Sequence, residues 1–254
     1  MGVTGYFVKA VEEGAARISE SPAATRLLAE AGVWEMRGAS PSVAKLLEAR
    51  QPLTNFADEL SYGIRRNYWE NVIGDDVSGR VPARITWEMM RLHSKETGTK
   101  LPNLFFAAVG HETNNVDALS KWMDGNKVLK NGRTLLVTEY IEQGRTIAKF
   151  SSAFQRNGIP FDVATVSARD APVFVGPSLP IPRSSSLLLS HESVSHRMWL
   201  YSKNAPEYRA AIGVERVPDS ITAVPNGADP KAIAELRQRM DQIASYLYQT
   251  KVKR

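Results

Sequence analysis

Apolar positions along the chain follow two regimes. Through residue 66 they recur at helical spacing, which predicts a helical N-terminal region. Ser21-Pro22 and Ser40-Pro41 each set a hydroxyl residue at an N-cap and a proline at the first helical position, where its missing N–H costs nothing. Gly32 and Gly38 fall where the first of these helices should stop. Phe56, Leu60 and Ile64, spaced by four, predict a further helix from about residue 55 to 66.

From Tyr68 onward, short apolar runs alternate with amphipathic stretches. Strands are predicted over 68–73, 104–109, 135–138 and 161–167, and helices over 81–95, 116–123 and 145–157. This alternation predicts an α/β fold with a mainly parallel central sheet flanked by helices. Ligands on such sheets collect at the carboxyl ends of strands. Beyond Arg169 the pattern weakens. Four prolines between 172 and 182, followed by Ser184-Ser-Ser186, predict a loop or an irregular lobe, with 221–224 a candidate last strand. Asp229-Pro230 then opens a C-terminal helix carrying Ile233, Leu236, Met240, Ile243 and Leu247 on one face. The organisation is thus a helical region over 1–66, an α/β core over 67–170, an irregular lobe over 171–228 and a C-terminal helix over 229–254.

At 254 residues the chain is long enough to bury a full core. Its 32 Lys and Arg exceed 27 Asp and Glu to give +5, a mild excess that favours anionic ligands without demanding nucleic acid. The basic residues are scattered apart from the Lys251-Val-Lys-Arg254 tail, which reads as a solvated helix end. The absence of cysteine excludes disulfides, thiolate catalysis and Cys-ligated zinc. His191 and His196 are five apart, which puts them on different faces of a helix and on opposite sides of a strand, and there is no His-Glu-x-x-His, so no zinc site is expected. No apolar run approaches the roughly 20 residues that span a bilayer, so no membrane segment is expected. The N-terminus lacks the basic-then-apolar order of a secretory signal, and Tyr6 breaks the myristoylation pattern. A cytoplasmic location is the expectation.

Candidate chemistry centres on Thr134-Leu-Leu-Val-Thr-Glu-Tyr-Ile-Glu-Gln-Gly-Arg-Thr-Ile147. A buried strand, a polar loop and a helix start, in that order, form a phosphate cradle: loop N–H groups and the positive end of the helix dipole converge on one point. A second loop, Gly74-Asp-Asp-Val-Ser-Gly-Arg-Val-Pro-Ala83, also lies between a predicted strand and a predicted helix. Arg80 is suited to gripping a diphosphate by two parallel hydrogen bonds. Ser-Gly-Arg alone is equally an ordinary N-cap turn; the order and spacing of the two loops together favour the site.

These pieces resemble the type I phosphoribosyltransferase superfamily, whose members bind 5-phosphoribosyl-1-pyrophosphate (PRPP) and transfer its ribose 5-phosphate to a base. The family signature is an apolar strand, two acids, two apolar residues, a variable residue and Thr-Gly-x-Thr opening a helix. Here Val137 ends the strand, Thr138 and Glu139 take the acidic pair, Glu142 is the variable residue, and Gln143-Gly144-Arg145-Thr146 replaces Thr-Gly-x-Thr. Lys130-Asn-Gly-Arg133 and Asn157-Gly158 match the family's turns, and the resemblance spans about residues 68–170.

The resemblance implies a role for each position. Backbone N–H groups from Gln143 to Thr146, with the Thr146 hydroxyl, would hold the 5-phosphate. Gly144 would let the backbone approach it, and Arg145 would add charge or point to solvent. Thr138 and Glu139 would face the ribose, Glu139 accepting from its hydroxyls and serving any Mg²⁺ carried by PRPP. Ser78, Gly79 and Arg80 would contact the pyrophosphate. Glu142 has two readings: a general base toward the acceptor, or a solvated carboxylate favoured by the helix amino end.

Partners would be PRPP and a purine or pyrimidine base, and a homodimer is compatible with the family. Two departures, Thr138 for an acid and Gln143 for a hydroxyl residue, keep open a regulator of the same fold that binds PRPP or a nucleotide without turnover. A third reading is an α/β protein whose loop holds another phosphorylated metabolite, such as a nucleotide sugar.

Overall fold

A computed structural model describes residues 32–75, 79–107, 116–125, 132–141, 144–168, 186–189 and 230–253. Five strands form one sheet: β1 (Asn71–Asp75), β2 (Asn103–Ala107), β3 (Thr134–Ile141), β4 (Phe161–Ala168) and β5 (Leu187–Leu189). Their order is β2-β1-β3-β4-β5 and every neighbouring pair is parallel. The helices are α1 (Pro41–Glu48), α2 (Arg50–Arg65), α3 (Arg80–Thr97), α4 (Val116–Gly125), α5 (Arg145–Arg156) and α6 (Pro230–Leu247), the last running into a π-helical turn, Tyr248–Val252. The protein is therefore α/β, with an all-parallel central sheet flanked by helices, as the alternating pattern predicts.

Side chains of adjacent strand residues project to opposite faces, and this divides the core in two. On one face Val72, Leu135, Val137, Ala164 and Val166 pack with residues of α1, α2, α3 and α6. On the other, Ile73, Leu136, Phe161 and Val163 pack with Leu119 and Met123 of α4 and with Ile147, Phe150 and Phe154 of α5. Both faces of the strands are covered, which is why they read as continuous apolar runs.

Several boundaries differ from the expectation. The first strand covers Asn71–Asp75, not 68–73. Tyr68 stays exposed, while Trp69 is buried and donates its indole N–H to Asp162. Gly74 belongs to the strand because its bare Cα admits α3: a Cβ there would lie 2.9 Å from both Ala83 and Phe106. The third strand holds Thr138 as predicted and continues through Glu139 to Ile141, so Glu139 sits in buried strand, not in a loop.

Helix α2 starts at Arg50, ahead of the predicted residue 55, because Pro52 falls in its first turn, where proline is tolerated. Ser40 does occupy the N-cap of α1, but its hydroxyl makes no cap bond. That end is instead tied by the Ser40 N–H donating to Glu235 Oε1 at 3.3 Å. The basic tail is not a simple solvated end. Val252 is buried, Arg65 donates to the carbonyls of Lys251 and Val252, Lys251 pairs with Asp58, and Lys253 pairs with Glu96. Strand β5 lies where an irregular lobe was predicted. The predicted helix after Ser21 and the strand at 221–224 lie outside the described residues. Among the described residues, no helix is long and apolar enough to cross a membrane.

Candidate functional site

Chain connectivity reverses direction across the sheet between β1 and β3. From β1 the chain crosses to β2 on one side, and from β3 it crosses to β4 on the other. At such a reversal the helices leaving the two strands go to opposite faces, and a crevice opens at the carboxyl ends. Here α3 leaves β1 toward the face lined by Val72 and Val137, and α5 leaves β3 toward the face lined by Ile73 and Leu136. Two helix amino ends, each carrying partial positive charge, therefore flank one crevice.

Asp75, the last residue of β1, builds the first flank. Its carbonyl and its Oδ1 both accept from Gly79 N–H, at 2.9 and 2.8 Å, tying the start of α3 back to the end of β1. Gly79 lies so close to the strand ends that a Cβ would fall 2.1 Å from the Val137 carbonyl oxygen and 2.5 Å from Asp75 N. Only glycine fits there. Arg80, the first residue of α3, is 4% exposed, and its guanidinium lies over the Phe106 ring at 5.0 Å. Stacking engages the face of a guanidinium, whereas its hydrogen bonds leave from the edge.

The second flank follows β3. Thr138 and Glu139 are buried, at 1% and 2% exposure. Thr138 Oγ1 donates to Asp75 Oδ2 at 2.8 Å, and Ser167 Oγ donates to the Glu139 carbonyl at 3.3 Å. Gly144 caps α5 in the left-handed conformation, φ 66 and ψ 5, which glycine adopts without strain. Its carbonyl accepts from Ala148 N–H at 2.8 Å, so the helix begins in register from the glycine. Arg145 is exposed and Thr146 half-buried.

Of the residues predicted for a site, the structure brings Gly79, Arg80 and Thr138 together around Asp75, and sets Gly144, Arg145 and Thr146 at the amino end of α5. Ser78, Glu142 and Gln143 lie outside the described residues. The sequence reading missed Asp75. Its signal was an acid at the end of the strand that feeds Ser-Gly-Arg, hidden because Gly74-Asp75 looks like the start of a turn.

Among the described residues no group of three or more His, Asp or Glu is arranged to hold a metal ion. Mg²⁺ is commonly held by one or two carboxylates together with ligand phosphates, and the Glu139 carboxylate suits that donor chemistry. Asp75 is already committed to Gly79 and Thr138.

The opposite, amino end of the sheet carries a different cluster. Asp162 is 1% exposed and accepts from Arg133, Trp69 and the Ser186 N–H. Burial pushes its carboxyl up, but bonds from Arg133, Ser186 and Trp69 outweigh that and hold it below its ordinary value. A small cleft lies at this end too, lined in part by Trp69, His93 and Pro102. It is remote from the strand carboxyl ends. We take the crevice between β1 and β3, not this cleft, as the candidate site, because two helix amino ends and a buried acid meet there.

Compared with protein-family models, with curated proteins and with solved structures, the chain matches none.

Proposed function

We propose that the chain binds PRPP, or a closely related ribose 5-phosphate, across the two loops at the carboxyl ends of β1 and β3. It then transfers the phosphoribosyl group to a nitrogenous base, as in the type I phosphoribosyltransferase superfamily it resembles. The observation that carries this reading is the pairing of two loop-to-helix junctions on adjoining strands where strand order reverses. One junction holds Gly79 and Arg80, the other Gly144 and Thr146. A ligand with anionic groups at both ends of a ribose suits two cationic helix ends better than a monoanion does.

In this reading, the amides from Gln143 to Thr146 hold the 5-phosphate and Arg80, with Ser78 and Gly79, holds the diphosphate. Glu139 accepts from ribose hydroxyls and serves Mg²⁺ that arrives with the phosphates. The bond from ribose C1 to the diphosphate oxygen breaks, its electron pair leaves with pyrophosphate, and a bond from C1 to the base nitrogen forms. Positive charge builds on the ribose during this exchange, so positioning and fixed charges supply the catalysis. Glu142 is the group suited to take the proton that the base nitrogen gives up.

A second reading, a regulator that binds PRPP without turnover, is favoured by Thr138, which stands buried where the family has an acid. Pyrophosphate release from Mg²⁺-PRPP over a panel of purine and pyrimidine bases separates the two. Release with one base supports transfer. Calorimetric binding without release supports the regulator. Absence of both overturns the shared reading. Arg80→Ala is expected to remove about 1.5–3 kcal/mol of diphosphate binding, at least tenfold in affinity. Unchanged affinity would contradict the placement of the diphosphate.

A further inference from the structure

The backbone ladder between β1 and β3 ends early. Its last registered pair is Gly74 with Val137. Beyond it, Asp75 registers with Ala107 of β2, while Thr138 registers with Thr165 of β4. The two strands thus hand their backbone bonds to different neighbours just where the crevice opens. A side-chain hydrogen bond, Thr138 Oγ1 to Asp75 Oδ2 at 2.8 Å, spans that divergence. The other carboxylate oxygen holds Gly79 N–H at the base of the first loop. Asp75 and Thr138 are both buried, so water competes little for these bonds.

We infer that Asp75 is a positioning residue that ties two helix amino ends into one site. Its carboxylate fixes Gly79, and with it the start of α3, to β3, the strand that precedes α5, and so sets the spacing of the two anion-binding flanks. Thr138 is then more than a lost acid. It is the donor that receives, from the neighbouring strand, a carboxylate that β3 itself lacks at this position. The inference rests on the PRPP reading above and specifies which property of the ligand the link serves. A ligand that spans both flanks gains from their fixed spacing, because its second contact is made at high effective concentration only if the geometry permits both. A ligand that occupies one flank gains nothing from it.

The test compares three probes by calorimetry with Mg²⁺ present: PRPP, ribose 5-phosphate and pyrophosphate. Thr138→Val is close in shape and removes only the donor, and Thr138→Ser restores it. For Thr138→Val the affinity for PRPP is expected to fall about tenfold or more, while each single-flank probe binds within about threefold of the unaltered protein. Thr138→Ser should recover PRPP affinity. Thermal melts of all three proteins establish that they are folded. Equal PRPP affinity in Thr138→Val overturns the inference while leaving the PRPP reading intact. An equal loss for all three probes also overturns it, since that is what general damage produces, and so does a loss shared by PRPP and ribose 5-phosphate with pyrophosphate spared, which is what a direct ribose contact produces. If the unaltered protein binds none of the probes, the PRPP reading itself fails and takes the inference with it.

Discussion

Arg133 clasps Asp162 through two parallel hydrogen bonds, Nε to Oδ2 at 2.6 Å and Nη2 to Oδ1 at 2.7 Å. Trp69 Nε1 adds a third at 2.8 Å and the Ser186 N–H a fourth at 2.6 Å. These four residues belong to four places in the sheet. Trp69 leads into β1, Arg133 into β3 and Ser186 into β5, and Asp162 lies within β4. One buried carboxylate therefore pins the amino ends of β1, β3, β4 and β5 together, opposite the end where β1 and β3 part.

Removing that carboxylate should be costly. Asp162→Ala leaves a buried indole N–H and a half-buried guanidinium without their acceptor, and a loss of about 3–5 kcal/mol is expected. Urea unfolding at neutral pH measures it. A change near the ordinary surface value, under about 0.5 kcal/mol, would contradict the brace.

The same group gives stability a dependence on acid. The Asp162 carboxyl is held below its ordinary value of 3.8 in the folded chain, so the unfolded chain binds its proton first as pH falls. Its contribution is fully present above about pH 4 and is lost as pH drops through the folded value. Other carboxylates act in the same direction. Glu96, for example, is held low by bonds from Lys253 and Tyr248. The comparison with Asp162→Asn isolates the one group: unfolding midpoints should fall more steeply below about pH 4 in the unaltered protein than in the variant. Parallel curves would count against the assignment.

The two loop glycines should respond differently to alanine. At Gly144 the obstacle is a left-handed φ of 66, and Gly144→Ala should cost about 1–2 kcal/mol. At Gly79 the obstacle is space, since the Cβ would meet the Val137 carbonyl at 2.1 Å. Backbone must move to relieve that contact, so Gly79→Ala should cost more than Gly144→Ala, beyond about 2 kcal/mol. Thermal melts of both variants check the order. The reverse order would mean that Gly79 does not sit on the strand ends.

Much of the fold was legible from spacing because buried parallel strands and amphipathic helices leave strong patterns. Met89 and Ile85 mark α3, and Leu135 to Val137 mark β3, in sequence and structure alike. The failures have physical causes. Gly74 and Asp75 are poor strand formers taken singly, yet α3 packs on the bare glycine and the strand holds. Glu139 is charged, and nothing in the local pattern says that the strand will carry it into the core. Leu187 to Leu189 is too short a run to distinguish from a loop beside a serine tract. At the candidate site, motif order alone singles out both glycines and Arg80. It does not single out Asp75, whose partner Thr138 is far away in sequence and meets it only across the strand divergence.

The central claim is that the amino end of α5, around Gly144, receives the 5-phosphate of a ribose whose other end reaches the loop before Arg80. Crystals grown or soaked with PRPP and Mg²⁺ test it most directly. The account predicts phosphate density against the amides of residues 143–146 and diphosphate density beside 78–80. Ligand bound at another surface, or amides at Gly144 engaged by the protein's own groups with no space for an anion, would contradict it.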